Sequence, residues 1–481
     1  MLVYFTAIIL VGWWAERRND SQDFLLGGRR TGPLVAAVGA AASSSSAWTL
    51  LGVSGASYAW GLSSLWLFPA CVGGFAINWF FVAPAARRLG REHAATSIPD
   101  ILSRRDVRTA AKRFAPTRIY ASILILVCTC AYVAAQYQGA GKTFHAVFGI
   151  PPELAMGIGA IAVVLYTAVG GFAAVSITDT IQGLLMGATA IAIPTTALVH
   201  VGGWSELTNQ LASLEQPGFL SLGGPRTPIL AIGFAAGLLG IGLGYPGQPH
   251  VTKYFLALDR GAHTIARART IALVWAAVVY GGMLLVGLCG RAMFPELSDR
   301  EIILVKVTEA LVHPALAGVM LAAVLSAIMS TADSQLLVAT GTLVSDFGLG
   351  GQNSGERRKA ARFVVGALSF AAVAAALLGT EEIFSAVLFG WAAMGAGFGP
   401  GLVLRAVLGR QLSSRATFGI MLLGSGLAIT AHFAYPQGAF RNAAIHVVPS
   451  MTALIVGWFV SSPFSSTRPF TRASQPLSLD R

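Results

Sequence analysis

The chain has 481 residues, of which 55% are hydrophobic and 11% charged, with a mean hydropathy of +0.67. A soluble globular domain carries about a quarter charged residues, so soluble readings are excluded. The net charge of +12 would suit a nucleic-acid partner, but 27 of the 33 Lys and Arg residues fall on alternate segments between apolar stretches; a positive-inside bias accounts for them and no nucleic acid is invoked.

Apolar stretches of about 20 residues, each long enough to cross a ~30 Å hydrocarbon core as a helix, recur from end to end. Runs such as 155–169 and 229–243 lack the alternation of barrel strands, which leaves helices as the way to satisfy the backbone inside a bilayer. The first span, 2–15, is followed by Glu16, Arg17 and Arg18, the wrong charge order for a cleaved signal peptide. It is short, so either the bilayer thins there or the natural start lies upstream. Twelve further spans are predicted at 33–61, 64–86, 117–147, 152–169, 176–200, 227–248, 268–290, 305–340, 361–379, 383–404, 414–434 and 444–462. Thirteen is odd, which places the N-terminus outside and the C-terminus in the cytoplasm of a cell-membrane protein. The basic loops require the same orientation.

The polar stretches 87–118, inside, and 202–226, outside, are too short to be catalytic domains. No Walker-type loop is present, so neither enzyme chemistry nor an ATP-driven engine is implied. Cys71, Cys128, Cys130 and Cys289 lie within apolar spans and are expected to pack as small hydrophobic residues. His200, His313, His432 and His446 fall near span ends and are expected at the interface. Trp13, Trp14, Trp204 and Trp458 suit aromatic belts.

Two spans are expected to be broken in mid-membrane. The second carries Ala-Ala-Ser-Ser-Ser-Ser-Ala-Trp at 41–48 with Gly52 and Gly55, and the seventh carries Gly-Leu-Gly-Tyr-Pro-Gly-Gln-Pro at 242–249. Backbone groups freed at such breaks are tolerated in lipid only where they line a cavity or bind something. Broken helices at corresponding positions of two halves point to a transporter site. Five spans counted from each break give spans two to six and seven to eleven, and five being odd, the second set is inverted. The implied division is an N-terminal helix and cytoplasmic loop (1–32), a first five-helix repeat (33–200), an extracellular loop (201–226), the inverted repeat (227–406), two further helices (407–462) and a cytoplasmic tail (463–481).

Several motifs carry a resemblance: Asp-Phe-Leu-Leu-Gly-Gly-Arg at 23–29, the serine-rich second span, and Tyr-Thr-Ala-Val-Gly-Gly-Phe-Ala-Ala-Val at 166–175 leading to Thr178, Asp179 and Gln182. Gly-Gln-Pro-His at 247–250, Ser-Ala-Ile-Met-Ser-Thr-Ala-Asp-Ser-Gln-Leu-Leu at 326–337 and Gly-Phe-Gly-Pro at 397–400 continue it. On these the chain resembles the sodium/solute symporter family nearly end to end, and its proline-carrying members most. The resemblance implies an all-α polytopic protein of the leucine-transporter fold, with inverted five-helix repeats and sodium as the coupling ion. No cofactor is implied.

Sodium is a hard cation that takes oxygen ligands. The resemblance assigns its shared site to Ala42, Ser45 and Ala327, through carbonyls, and to the Ser330 and Thr331 hydroxyls; the alternative is that small residues here permit close helix packing. Asp179, with Asp333 and Ser334, matches an additional sodium site of some members. For Asp179 a helix cap at the start of the sixth span is the other reading. The solute pocket is matched by Ser46, Ala47, Gly52, Tyr132, Ile241, Tyr245 and Gln248, with packing as the alternative for both tyrosines.

Two departures bear on mechanism. Ser44 stands where proline-carrying members have an aspartate, and Ile241 where they have an indole; Ala47 replaces a glycine. The expected function is sodium-coupled symport of a small solute, an amino acid (proline-like) or other small carboxylate, across a lipid bilayer. Proton coupling and a transporter-fold sensor are the alternatives that Ser44 raises.

Overall fold

The computed structural model describes residues 26–92, 95–103, 116–214, 216–349, 354–379, 382–435 and 438–463, with Thr6, Leu10 and Val11. The rest of the expected first span and the tail beyond 463 lie outside the described residues. The first half of the chain forms α1 (Pro33–Ser44), α2 (Val53–Trp60), α3 (Leu67–Ile77), α4 (Ala83–Glu92), α5 (Pro116–Phe148), α6 (Pro152–Val201) and α7 (Gly203–Ser213). The second forms α8 (Pro228–Gly240), α9 (Pro249–Ala257), α10 (Thr264–Met293), α11 (Ile303–Leu311), α12 (Pro314–Gly341), α13 (Ser354–Leu378), α14 (Ile383–Leu402), α15 (Ser414–Ala434) and α16 (Val448–Val460). Two short strands, Arg410–Gln411 and Ser462–Pro463, pair antiparallel.

Ten helices among the described residues are long and apolar enough to cross a membrane. α1 is shorter than a span because the second expected span is interrupted, and Gly171 (φ 57°, ψ −165°) divides α6 in two. Only glycine adopts that conformation without strain. The expected span 305–340 is two helices: Val312 is extended (φ −117°, ψ 137°), and Pro314, which has no N–H to donate, opens α12. The expected loop 202–226 contains α7, whose Leu207 and Leu211 lie one turn apart and are buried. Phe363 and Phe370, one heptad apart on α13, are each 77% exposed. Such apolar surface is stable against hydrocarbon rather than water.

The first break follows from its serines. Ser45 leaves the helical region (φ −109°, ψ 83°), and its N–H turns back to Ala42 O at 3.1 Å. The Ala47 N–H is received by the Gln136 side chain of α5 at 2.9 Å, and the Trp48 N–H by the hydroxyl of Ser46 at 3.1 Å. Serine side chains compete in this way for backbone groups, and here the hydroxyl caps the second half-helix. In the second break, 241–247 tighten into a 3₁₀ turn and Gln248 is extended (φ −86°, ψ 113°), as expected of a residue preceding proline. Gly244 admits the Trp391 indole, which lies 2.3 Å from where a Cβ would stand.

α12 is the innermost helix, packed on α1, α5 and α6. The basic residues sort to two ends of the molecule. At one, Arg226, Arg300 and Arg441 share a cavity and Lys142 pairs with Glu301. At the other, Arg87 donates to Asp259 O (3.1 Å), Arg91 to Leu258 O (2.6 Å) and Arg29 to Gly90 O and Ala95 O (2.7 and 2.8 Å).

Candidate ion and solute sites

The five residues expected at the shared sodium site are brought together between the first break and α12. Ser330 Oγ is 3.2 Å from Ala42 O and 3.3 Å from Ala327 O, and Thr331 Oγ1 is 3.0 Å from Ser43 O. All are fully buried, Ser45 included. Two hydroxyls facing a cluster of carbonyls, with neither nitrogen nor sulfur in the set, are a donor group suited to a hard monovalent cation. When the hydroxyls rotate, their lone pairs join the carbonyls around it.

Asp179 is fully buried and does not cap a helix. The second half of α6 begins at Gly171, two turns earlier than a cap at Asp179 requires. Its Oδ2 instead accepts from Tyr254 of α9 (2.5 Å) and from Ser334 of α12 (3.0 Å). Asp179 Oδ1 has no protein partner. Asp333, the residue before Ser334, is fully buried as well.

The solute residues lie around the two breaks, each at most 2% exposed. Tyr132 donates to Ser46 Oγ at 3.4 Å, while Ala47 is held by Gln136. Gln248 donates to Gly244 O (2.9 Å) and Trp391 O (3.1 Å), leaving its Oε1 without a protein partner. Tyr245 turns away from Tyr132 toward α3 and α10: it shares a 2.9 Å hydrogen bond with Tyr280 and packs on Phe75. Ile241 offers no aromatic face, but the indole of Trp391 donates to Ile241 O at 3.0 Å and stands edge-on to Tyr245 at 4.6 Å. An aromatic wall therefore borders the pocket from α14.

Sequence reading missed Trp391, Gln136, Tyr254 and Phe384. Gln136 and Trp391 carry a signal, each being a polar-bearing side chain in the middle of an apolar span. His250 also escaped it: the ring is 1% exposed, stands 6.4 Å from Tyr132, and neither nitrogen has a protein partner. His432 and His446, expected at the interface, are buried, His432 against Phe389 at 4.8 Å; Trp204 and Trp458 are exposed as aromatic-belt residues should be.

Phe384 separates these residues from the cavity at the Arg226 end. It lines that cavity, packs 5.5 Å from Trp48, and lies 3.3 Å from where a Gly52 Cβ would be. At the opposite end Thr31 N–H donates to Ala257 O and Asp259 N–H to Thr31 O, both at 3.1 Å, so the backbone ahead of α1 is tied to the end of α9.

The sequence profile of the sodium:solute symporter family matches residues 24–424. The chain belongs to the sodium:solute symporter family. It is 31% identical to the osmoregulated proline transporter OpuE of Bacillus subtilis, over 96% of this chain and 94% of that protein. It is 33% identical to the sodium/proline symporter of Salmonella typhimurium, over 88% and 85%. Among solved structures it resembles a substrate-bound, outward-open Na+-coupled sialic acid symporter (TM-score 0.75, 20% identity, 95% and 96% covered). It also resembles Mhp1, a nucleobase-cation-symport transporter, in a closed conformation (TM-score 0.56, 15% identity, 90% and 94% covered). The fold is that of the leucine transporter, and the protein is a multi-pass sodium-coupled symporter rather than an enzyme.

Proposed function

We propose that the symporter carries a small zwitterionic amino acid, proline or a close analogue, or another small carboxylate, driven by sodium held at Ala42, Ser45, Ala327, Ser330 and Thr331. One observation supports this most: Ser330 and Thr331 present their hydroxyls to the carbonyls of the first break at 3.2 and 3.0 Å. Sodium there ties α12 to the broken helix and fixes the half-helix that starts at Trp48. The N-terminus of that half-helix receives the solute carboxylate. The Ala47 and Trp48 N–H groups, now engaged by Gln136 and Ser46, are the donors nearest to it. Gln248 Oε1 accepts from the solute ammonium, and the Trp391 indole supplies the apolar wall for a ring. A second sodium binds between Asp179, Asp333 and Ser334, and the carboxylates there offset the missing charge at Ser44.

The Arg226 end faces outward and the Arg87 end the cytoplasm of a cell membrane, with N-terminus outside and C-terminus inside, in line with the basic loops. Residues 33–200 and 227–406 act as the two repeats, which rock about the breaks. The Thr31–Asp259 contacts close the cytoplasmic path, and Phe384 covers the site from outside. Each charge moved inward contributes about 2.3 kcal/mol per 100 mV of membrane potential.

Purified protein in proteoliposomes, offered labelled proline and a panel of small amino acids and carboxylates under sodium or pH gradients, tests the proposal. Accumulation of proline or an analogue under an inward sodium gradient is expected. Uptake driven by a pH gradient without sodium, or of none of these solutes, would overturn it.

A further inference from the structure

At the Arg226 end lies a cavity of about 750 Å³, within the ~300–1,000 Å³ range of small-molecule sites. Three of its lining residues are arginines brought from separate parts of the chain: Arg226 ahead of α8, Arg300 ahead of α11 and Arg441 ahead of α16. Only six of the 33 basic residues lie outside the loops assigned to the cytoplasm, so three in one cavity are not explained by topology.

Glu382, the one carboxylate in the lining, forms an ion pair with Arg300. Arg226 and Arg441 have no carboxylate within ion-pair reach among the described residues. Both are nevertheless held in place. Arg441 donates through Nε to Tyr435 O (3.1 Å) and through Nη2 to Ser385 Oγ (3.2 Å), leaving Nη1 free to donate. Arg226 lies over the ring of Phe234 at 3.6 Å and donates to Gly223 O at 3.3 Å. Trp60 and Phe384, edge to face at 5.3 Å, give the same cavity an apolar wall.

We propose that this cavity is a docking site for organic carboxylates: Arg226 and Arg441 take the carboxylate and the Trp60–Phe384 wall takes the apolar body. Two positioned guanidinium forks match carboxylate geometry in a way that two mobile lysines would not. A positive cleft also raises the local concentration of an anionic group, by about 10- to 1,000-fold in on-rate for strongly steered ligands. Because Phe384 borders both this cavity and Trp48, a molecule docked here stands one side chain from the closed solute site. Its role as a first station for the transported solute rests on the symport reading above; carboxylate binding itself does not.

The test uses the full chain in nanodiscs in sodium-free potassium buffer, titrated with benzoate and its neutral counterpart benzamide and followed by calorimetry. Saturable benzoate binding at least about tenfold tighter than benzamide is expected, and it should weaken by about tenfold in Arg226→Gln plus Arg441→Gln. Arg226→Lys plus Arg441→Lys, which keeps the charge, should stay between the two and shows that the fold survives. Benzoate binding that is absent, equal to that of benzamide, or unchanged in the glutamine pair would overturn the proposal. Ser330→Ala plus Thr331→Ala should bind benzoate as the unaltered chain does; loss there would move the site to the ion path and overturn it too. Failure of the symport reading would appear instead as sodium-independent uptake with benzoate binding intact.

Discussion

The Ser334 hydroxyl donates to the Asp179 carboxylate over 3.0 Å, joining α12 to the second half of α6 close beyond Ser330 and Thr331. With Tyr254 on the same oxygen and Asp179 Oδ1 left without a protein partner, the carboxylate has capacity for a cation. If sodium binds there, Asp179→Asn should lower the Hill coefficient for sodium activation toward one while proline affinity changes little. A hydrogen bond or ion contact to a charged group is worth about 1.5–3 kcal/mol, so half-activation should rise about tenfold or more. Equal loss of stability with an unchanged Hill coefficient would make Asp179 structural.

Asp333 supplies a neighbouring charge from the same helix, in the absence of an aspartate at Ser44. Asp333→Asn is expected to weaken sodium activation more than solute affinity, by roughly tenfold against less than threefold. Sodium titration of uptake at saturating proline, beside proline titration at saturating sodium, separates the two.

Trp391→Phe keeps a ring but removes the donor to Ile241 O. Solute KM should rise about tenfold, because a buried carbonyl loses its partner beside the pocket, while the sodium half-activation stays within about twofold. A parallel shift in both constants would place Trp391 in packing alone.

Glu301 is 1% exposed and holds Lys142 at 2.6 Å together with the first N–H groups of α14, Ile383 at 3.2 Å and Phe384 at 2.9 Å. It caps a helix from a different segment and fixes Phe384 through that helix. Glu301→Ala leaves a buried ammonium and two orphan donors, a loss of about 3–5 kcal/mol. Its thermal midpoint should fall well below that of Glu301→Gln, which keeps one acceptor. Equal midpoints would contradict this account of the cap.

Both breaks were legible because their causes are local: a serine run that competes for backbone donors, and glycines and prolines that cannot continue a helix. The division of 305–340 was also written locally, in Pro314, but the hydrophobicity of the flanking residues hid it. The ion ligands were readable only through resemblance, since Ala42, Ser330 and Thr331 are ordinary packing residues until the fold sets hydroxyls against carbonyls. Gln136, Tyr254 and Trp391 act across 75 or more positions of sequence separation, and no periodicity reports such a distance. Asp179 was read as a cap or a ligand; only the true start of its helix at Gly171 decides against the cap.

The most direct measurement is sodium-gradient-driven proline uptake into proteoliposomes by the unaltered chain and by Ser330→Ala plus Thr331→Ala. The account predicts accumulation by the first and, in the double variant, loss of sodium dependence with the protein still folded. Sodium-driven uptake that survives both substitutions would contradict the assignment of the coupling ion to the first break and α12.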